Sequence, residues 1–290
     1  MGNNFRSAVF PLHLCSIVAL LSISNGLMLR DNVEQCENLT LLQYQNPLGP
    51  LTALASLPGS GNTWVRHLLQ MATGRLTGSV NGEDDGKIHE GFPGSNVHNG
   101  SVIVIKDHFM RTLPTTKKIS SYDRIILITR NPIFQWIAFL NRLKGGIREI
   151  GPLNELSDHE ILNYFDKDLA RDLRIFVPFW RDWHEFFIDN YKRDQICITS
   201  YALMSDDLKD GPDLIKSLPP CVHFLGYQIN DPLAQCLRKN QEGRHHRKKR
   251  PIEEDAKHIL SLIPQAERKR YDKIMKKTYA KLVKQVRDEF

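Results

Sequence analysis

The segment Leu57–Leu69, LPGSGNTWVRHLL, has the composition of a turn that binds an anion. Gly59 and Gly61 flank a serine, follow an apolar run and lead into a helix-like pattern. Such a turn presents successive backbone N–H groups at a helix N-terminus, where the helix dipole also favours negative charge. A nucleoside-triphosphate P-loop reads GxxxxGK(S/T), and neither its lysine nor its spacing is present. The segment therefore predicts an anion site of another kind, with a plain strand-to-helix turn as the alternative.

Polar residues that suit reactions of anionic groups follow other apolar runs. Lys106 and His108 stand two apart in IKDH, so they point to the same side if the chain is extended there. Histidine can take a proton from a hydroxyl near neutral pH, and lysine can offset negative charge on nearby oxygens. Arg130, in ITRNP, has a guanidinium that fits a phosphate through two parallel hydrogen bonds. The alternatives are a surface Lys–His pair and an arginine in a structural ion pair.

These residues lie where the sequence predicts the ends of buried strands. Apolar runs rich in β-branched residues indicate strands, and helical patterns separate them. One helical pattern, Trp64–Ala72, stops at Gly74, and another begins at Asn131–Pro132 with a capping residue and a first-turn proline. This alternation predicts an α/β fold with a parallel sheet flanked by helices, in which ligands bind beyond the carboxyl ends of the strands. The predicted strands are Leu51–Leu57, Ser101–Lys106, Arg124–Arg130 and Gln195–Tyr201.

The N-terminal sequence predicts a secretory route. Ala8–Leu29 is mostly apolar and about long enough to cross a bilayer of ~30 Å. Residues 1–30 are therefore expected to be either a single-pass type II signal-anchor or a cleaved signal peptide, the remaining alternative being an apolar start to a cytosolic protein. Residues 31–46 are expected to connect this segment to one domain, residues 47–290. That domain includes a basic C-terminal helix and is long enough for a sizeable core.

Cysteines and sequons fit the same compartment. Asn38 and Asn99 each stand in an N-x-(S/T) triplet, which predicts N-glycosylation of a secreted protein. In an oxidising lumen Cys221 and Cys236 are placed to close a short disulfide loop, whereas Cys197, inside an apolar run, is expected to be a buried thiol.

Charge and histidine spacing exclude some classes of site. The net charge of +6 comes largely from the run 242–250, EGRHHRKKR, and from the C-terminal helix. A basic run of this kind is usually a solvated surface or a polyanion patch, and no nucleic-acid partner is expected. The histidines lack metal-ligand spacing with cysteines or carboxylates, so no metal is expected; those considered are His89, His108, His245 and His246.

The turn PGSGNTW resembles the 5′-phosphosulfate-binding loop of sulfotransferases that use 3′-phosphoadenylyl sulfate (PAPS), whose usual cytosolic form is PKSGTTW. The PG-G-NTW variant, with an arginine after it, is most similar to the sulfotransferase domains of the WSC-domain-containing proteins. The resemblance covers roughly residues 50–250. It implies the sulfotransferase fold, a P-loop-like parallel sheet, and PAPS as the donor.

The resemblance also implies roles for particular residues. His108 would be the general base and Lys106 would stabilise the transferring group. Arg130 would bind the 3′-phosphate, together with a late basic loop in which Arg247, or alternatively Lys248, makes contact. Tyr201 would lie near the adenine, unless it and Trp64, the other adenine candidate, are core aromatics. The 5′-phosphosulfate would be held by the loop residues Gly59, Ser60, Gly61, Asn62, Thr63 and Trp64.

This chain departs from the family pattern at several positions. Gly59 replaces the loop lysine, which removes a charge-assisted contact to the donor. Asn62 replaces a threonine, and Ala138 replaces the serine that works with the strand-end arginine on the 3′-phosphate. Arg66 is expected to be an exposed helical arginine, with replacement of the loop lysine as the alternative.

Together these features predict a PAPS-dependent sulfotransferase that acts on a hydroxyl, on a glycan by resemblance, in the Golgi lumen. A P-loop-like kinase is disfavoured because the loop lacks its lysine. The alternative that stays open is a catalytically silent relative that binds nucleotide or sulfated polyanions.

Overall fold

The fold is a five-stranded parallel sheet with helices on both faces, as the sequence predicted. The computed structural model describes residues 27–28, 41–80, 91–109, 122–145, 169–201, 218–240, 261 and 263–286. The strand order is β4-β5-β3-β6-β7. Its strands are β3 (Thr52–Ala55), β4 (Gly78–Ser79), β5 (Ile105–Asp107), β6 (Arg124–Thr129) and β7 (Ile196–Ser200), and a separate antiparallel pair is formed by β1 (Leu27–Met28) and β2 (Leu41–Leu42).

Side chains of the sheet alternate between two apolar clusters, one on each face. Ala53 and Ala55 point into one cluster and Leu54 into the other, because successive residues of a strand face opposite sides. The cluster around Leu54 packs against α1, α4 and α5. The cluster around Ala53 packs against α3 and includes side chains of α2 and α6. These helices are α1 (Asn62–Thr73), α2 (Pro132–Gly145), α3 (Leu169–Asn190), α4 (Pro219–Phe224), α5 (Asp231–Lys239) and α6 (Gln265–Val286).

Three of the four predicted strands occur within about two residues of their predicted bounds, and the second begins later. The predicted strand Ser101–Lys106 is confirmed only from Ile105, because Asn99 closes a turn in front of it. The Asn99 Oδ1 atom accepts hydrogen bonds from the backbone N–H and the hydroxyl of Ser101, at 2.9 and 2.6 Å. The predicted helix ends are confirmed: Gly74 adopts a left-handed conformation after α1, and Asn131 Oδ1 accepts from Ile133 N at 3.0 Å.

The disulfide prediction was wrong. Cys221 bonds to Cys197, with their Cα atoms 5.8 Å apart, and not to Cys236. Cys197 lies on β7 and Cys221 on α4, and both belong to the cluster on the Leu54 side of the sheet. Packing of α4 on that face therefore selects the partner. The bond ties the edge strand to a helix.

The N-terminal prediction falls almost entirely outside the described residues. Of Ala8–Leu29 only Leu27–Met28 are described, and they form a strand against Leu41–Leu42. In the part of the chain that is described, no helix is long and apolar enough to span a membrane. Leu42 is buried in the core, and Gln45 Nε2 donates to the carbonyl oxygens of residues 100 and 102, so these two residues of the predicted connector pack against the domain.

Candidate active site

The turn between β3 and α1 has the geometry of an anion cradle. Gly61 caps α1 in a left-handed conformation (φ 82°) and contributes no side-chain hydrogen bond to the cap. The first N–H groups of a helix have no acceptor within the helix, and here they belong to Asn62, Thr63 and Trp64. Gly59 is also left-handed (φ 87°), which makes the turn tight enough to bring these amides together. The first turn of α1 contains no acidic side chain that would repel an anion.

Close packing explains why the loop has glycines at these positions. A Cβ atom on Gly59 would lie 2.3 Å from the backbone oxygen of Gln135 in α2, and one on Gly61 would lie 2.4 Å from the ring of Tyr201. Both distances are shorter than real Cβ contacts, and at Gly59 the neighbour is backbone that cannot turn aside. The glycine in place of a loop lysine is therefore required by the way α2 packs against the turn.

Arg130 and Tyr201 join the cradle at one side. Arg130 Nη1 donates to the carbonyl oxygen of Gly59 at 2.7 Å, and its guanidinium lies 4.1 Å from the centre of the Tyr201 ring. The same ring packs on Gly61 and meets Trp64 edge-on, with the ring centres 5.7 Å apart. The strand ends of β6 and β7 thus place a cation and one aromatic ring beside the loop, and the first turn of α1 adds the ring of Trp64. Arg130 thus interacts with a ring and a carbonyl oxygen.

Two buried polar atoms of the cradle have no hydrogen-bond partner within the described part of the chain. They are the Ser60 hydroxyl oxygen and Asn62 Oδ1, in side chains that are almost fully buried. Burying a polar group without a partner costs roughly 1–3 kcal/mol, so such groups usually mark a ligand or ordered water. The helix-start N–H groups and the Ser60 hydroxyl are donors and fit an oxyanion with several acceptor oxygens, whereas Asn62 Oδ1 is an acceptor and needs a donor.

His108 is fixed beside the end of β3. Its Nδ1 atom lies 2.6 Å from the carbonyl oxygen of Ser56 and 3.4 Å from the Ser56 hydroxyl. A carbonyl oxygen only accepts, so Nδ1 carries the proton and Nε2 carries the lone pair of the neutral ring. A ring in that tautomer can accept a proton at Nε2, which is what a general base requires.

Lys106 and His108 are buried, so the alternative of a surface pair is wrong. Lys106 is 1% exposed and His108 is 9% exposed. Lys106 stands opposite Leu54 in the sheet register, and His108 is the first residue after β5. Lys106 therefore lies on β5, and His108 lies in the turn that follows this strand.

Asp107, which the sequence analysis missed, builds the turn that ends β5. Its carboxylate accepts the N–H of Phe109 at 2.7 Å and the hydroxyl of Tyr122 at 3.0 Å. Phe109 has a positive φ of 50°, which is rare for a bulky residue and is held here by that carboxylate. Burial raises the pKa of Asp107, and the two hydrogen bonds oppose this by stabilising the carboxylate. A single acidic residue between lysine and histidine gives no sequence signal for this role.

Arg66 is fully buried, so the prediction of an exposed helical arginine was wrong. Its guanidinium donates to the hydroxyl and carbonyl oxygens of Thr77 and to the hydroxyl of Ser95, each at 3.1 Å. It also lies 4.1 Å from the centre of the Phe92 ring. These partners all belong to the segment after α1, so Arg66 ties the helix to that segment.

The predicted 3′-phosphate site also involves position 138 on α2 and a late basic loop. Ala138 lies on α2 and has no polar side chain to offer. Arg247 and Lys248 lie outside the described residues, as do His89, His245 and His246.

Comparison with known proteins agrees with the loop resemblance. "WSCD family member CG9164" from Drosophila melanogaster is 34% identical to this chain over 209 residues, which cover 72% of this chain and 60% of that protein. "WSCD family member AAEL009094" from Aedes aegypti is 34% identical over 206 residues, covering 71% of this chain and 59% of that protein. The chain spans about 60% of the length of the curated relatives it matches. No family model and no solved structure matches it. The similarity relates the chain to the WSCD family.

Proposed function

We propose that this chain is a PAPS-dependent sulfotransferase that transfers a sulfuryl group to the hydroxyl of a glycan acceptor. Backbone amides of residues 59–64 would bind the 5′-phosphosulfate, Arg130 the 3′-phosphate, and Tyr201 and Trp64 the adenine side. This proposal is supported by the loop sequence PGSGNTW, by the similarity to WSCD family members, and by the helix-start anion cradle.

One observation carries the proposal further than nucleotide binding alone. Ser56 follows β3 and precedes the cradle; its carbonyl oxygen also accepts from Nδ1 of His108 at 2.6 Å and so leaves Nε2 as the basic nitrogen. A binding module has no need of a buried histidine in a defined tautomer beside its anion site. An enzyme that removes a proton from an acceptor hydroxyl does need one.

The proposed reaction is a direct displacement at sulfur. The acceptor hydroxyl gives its proton to Nε2 of His108 while its oxygen forms a bond to sulfur. The bond from sulfur to the phosphate oxygen of PAPS breaks, and its electron pair leaves with adenosine 3′,5′-bisphosphate. Lys106 and the helix-start amides would offset the negative charge on the sulfuryl and leaving-group oxygens as it develops. None of these steps requires a metal ion.

The deciding experiment is transfer of label from ³⁵S-PAPS to a panel of glycan acceptors by the full-length protein, with His108→Gln as the variant. We expect transfer by the wild type and a loss of at least about 100-fold in the variant, since a positioned general base contributes roughly 10²–10⁴-fold. His67→Gln is the matched control, because His67 lies on α1 and its ring contacts the carbonyl oxygen of Asn240. A thermal shift with adenosine 3′,5′-bisphosphate reports the nucleotide site separately. A shift without transfer on any acceptor would favour the silent binder, and no shift would refute the site.

We also propose a single-pass type II protein with a lumenal domain in the Golgi. The apolar segment Ala8–Leu29 supports it, as does the disulfide between Cys197 and Cys221, since disulfides persist in oxidising compartments. The Asn99 sequon is exposed, which glycosylation requires. Mobility of the expressed protein before and after glycosidase treatment tests this: an unchanged mobility would contradict lumenal exposure of both sequons.

A further inference from the structure

Asn62 links the start of α1 to the end of β3. Its Nδ2 atom donates to the carbonyl oxygen of Leu54 and to the hydroxyl of Ser56, both at 2.9 Å. Asn62 is the first residue of α1 and is buried, so its side chain is turned away from solvent and towards the strand. Its amide therefore fixes the cradle to the strand.

Ser56 continues the link to His108. Ser56 N donates to the carbonyl oxygen of Asp107 at 3.3 Å, which extends the pairing of β3 with β5 by one residue. His108 consequently lies beside Ser56, and its Nδ1–H faces both the carbonyl oxygen (2.6 Å) and the hydroxyl oxygen (3.4 Å) of that residue. Ser56 is fully buried, so water does not compete for these atoms.

We propose that Asn62 and Ser56 are positioning residues that hold His108 with its proton on Nδ1. A neutral imidazole carries one proton that can sit on either nitrogen, and the partner of one nitrogen decides the tautomer. Asn62 sets the Ser56 hydroxyl, and Ser56 sets the ring. The anion cradle and the base are then one rigid unit, because the residue that opens the helix also fixes the base. This inference rests on the proposed function for its catalytic meaning, whereas the tautomer itself can be measured without turnover.

The link also explains the asparagine in the loop. A threonine at residue 62 has a single hydroxyl, which cannot donate to both the Leu54 carbonyl and the Ser56 hydroxyl. The amide of Asn62 has two N–H donors on one nitrogen and reaches both oxygens. Asn62, which replaces the threonine of the usual cytosolic loop, thus donates two hydrogen bonds that connect the loop to the residue beside His108.

The test uses the full-length protein labelled with ¹⁵N-histidine, with His108 assigned from the spectrum of His108→Gln. We expect the wild-type ring nitrogens to show the Nδ1–H form. Alanine at position 56 keeps the backbone carbonyl oxygen that accepts from Nδ1–H and removes only the hydroxyl. In Ser56→Ala and Asn62→Ala we therefore expect the Nδ1–H form to persist with shifted ring-nitrogen signals, and a fall of about tenfold in kcat with KM for PAPS nearly unchanged, because the loss is of orientation. Ser95→Ala is the matched control: Ser95 is equally buried and accepts from Arg66 at 3.1 Å, so its loss lowers stability without altering the His108 signals.

The double variant distinguishes a link from two separate effects. If Asn62 acts through Ser56, the combined loss in kcat is clearly smaller than the product of the single losses. Independent, multiplicative losses would overturn the link, and unchanged His108 ring-nitrogen signals in Ser56→Ala would overturn the positioning role of the Ser56 hydroxyl. Absence of sulfuryl transfer by the wild type would refute the proposed function. The ring-nitrogen signals of His108 would still decide whether the Ser56 hydroxyl contacts the ring.

Discussion

Burial of His184 leads us to expect a loss of folding stability at acid pH, and its size follows from the pKa of the ring. The ring is 1% exposed, in the middle of α3, with ring centres of Trp180 and Trp183 at 4.3 and 4.9 Å. Its Nδ1–H donates to the carbonyl oxygen of Trp180 at 2.7 Å. Burial lowers the pKa of His184 to about 4 from 6.5, and the hydrogen bond opposes this only in part. We therefore expect the neutral ring to be part of the folded core.

The direction in which the free energy of unfolding changes with pH follows from proton binding. Between the two pKa values the unfolded chain binds more protons at this histidine than the folded chain, so stability rises with pH there and falls as the solution is acidified. The stability is complete above about pH 6.5 and is lost progressively down to about pH 4. One pKa unit is worth about 1.4 kcal/mol, so the loss is about 2 kcal/mol at about pH 5 and about 3 kcal/mol at the acid end.

The assay is urea denaturation at several pH values between about 7.5 and 4.5, comparing the wild type with His184→Gln and His223→Gln. Glutamine keeps a donor for the Trp180 carbonyl and does not titrate, so the variant should be less sensitive to acid by the amounts above. His223 is exposed, and its variant should keep the wild-type slope. Equal slopes for all three proteins would refute the reasoning, because other titrating groups contribute to each of them alike.

Other predictions concern the cradle and the disulfide. Gly59→Lys should not restore a donor contact but should destabilise the fold by roughly 2–3 kcal/mol, because φ is positive there and the new Cβ atom would lie 2.3 Å from the backbone oxygen of Gln135. Urea denaturation measures this loss, and a variant as stable as the wild type would contradict the packing of α2 on the turn. Arg130→Lys keeps the charge but loses the planar contact with Tyr201, so affinity for adenosine 3′,5′-bisphosphate should fall about tenfold by calorimetry, and unchanged affinity would exclude Arg130 from the site. Replacing Cys197 and Cys221 by serine opens a loop of sequence separation 24 and should cost roughly 3 kcal/mol; a melting temperature equal to that of the wild type in the absence of reductant would argue against the bond.

The sheet and the gathering of the site were predictable because they depend on local patterns. Continuous apolar runs mark buried strands, and in a parallel sheet the carboxyl ends of neighbouring strands meet at one edge. Gly61, His108, Arg130 and Tyr201 each follow such a run, so the sequence places them at that edge. Their contacts with one another then follow from the strand order.

The contacts that set the details were not predictable, since they join residues that no pattern connects. Ser56 and His108 are 52 residues apart, and only the pairing of β3 with β5 brings them together. Arg66 looks like a surface residue of a helix until the segment containing Thr77 covers it. Cys221 was assigned to the wrong partner because the face on which α4 packs decides the pairing.

The strand order has a consequence for the direction in which a ligand would lie. Reading across the sheet from β7 through β6 and β3 to β5, the strand ends present Tyr201, Arg130, the glycine turn and His108. Neighbouring strands are about 4.8 Å apart, so these ends mark a line of about 14 Å. Under the proposed function, the parts of the two substrates would lie along this line in a fixed order. The adenine would lie beside Tyr201, followed by the 3′-phosphate, the phosphosulfate and the acceptor oxygen. The next strand along this line is β4, Gly78–Ser79, so the rest of the acceptor is expected to extend over that edge of the sheet.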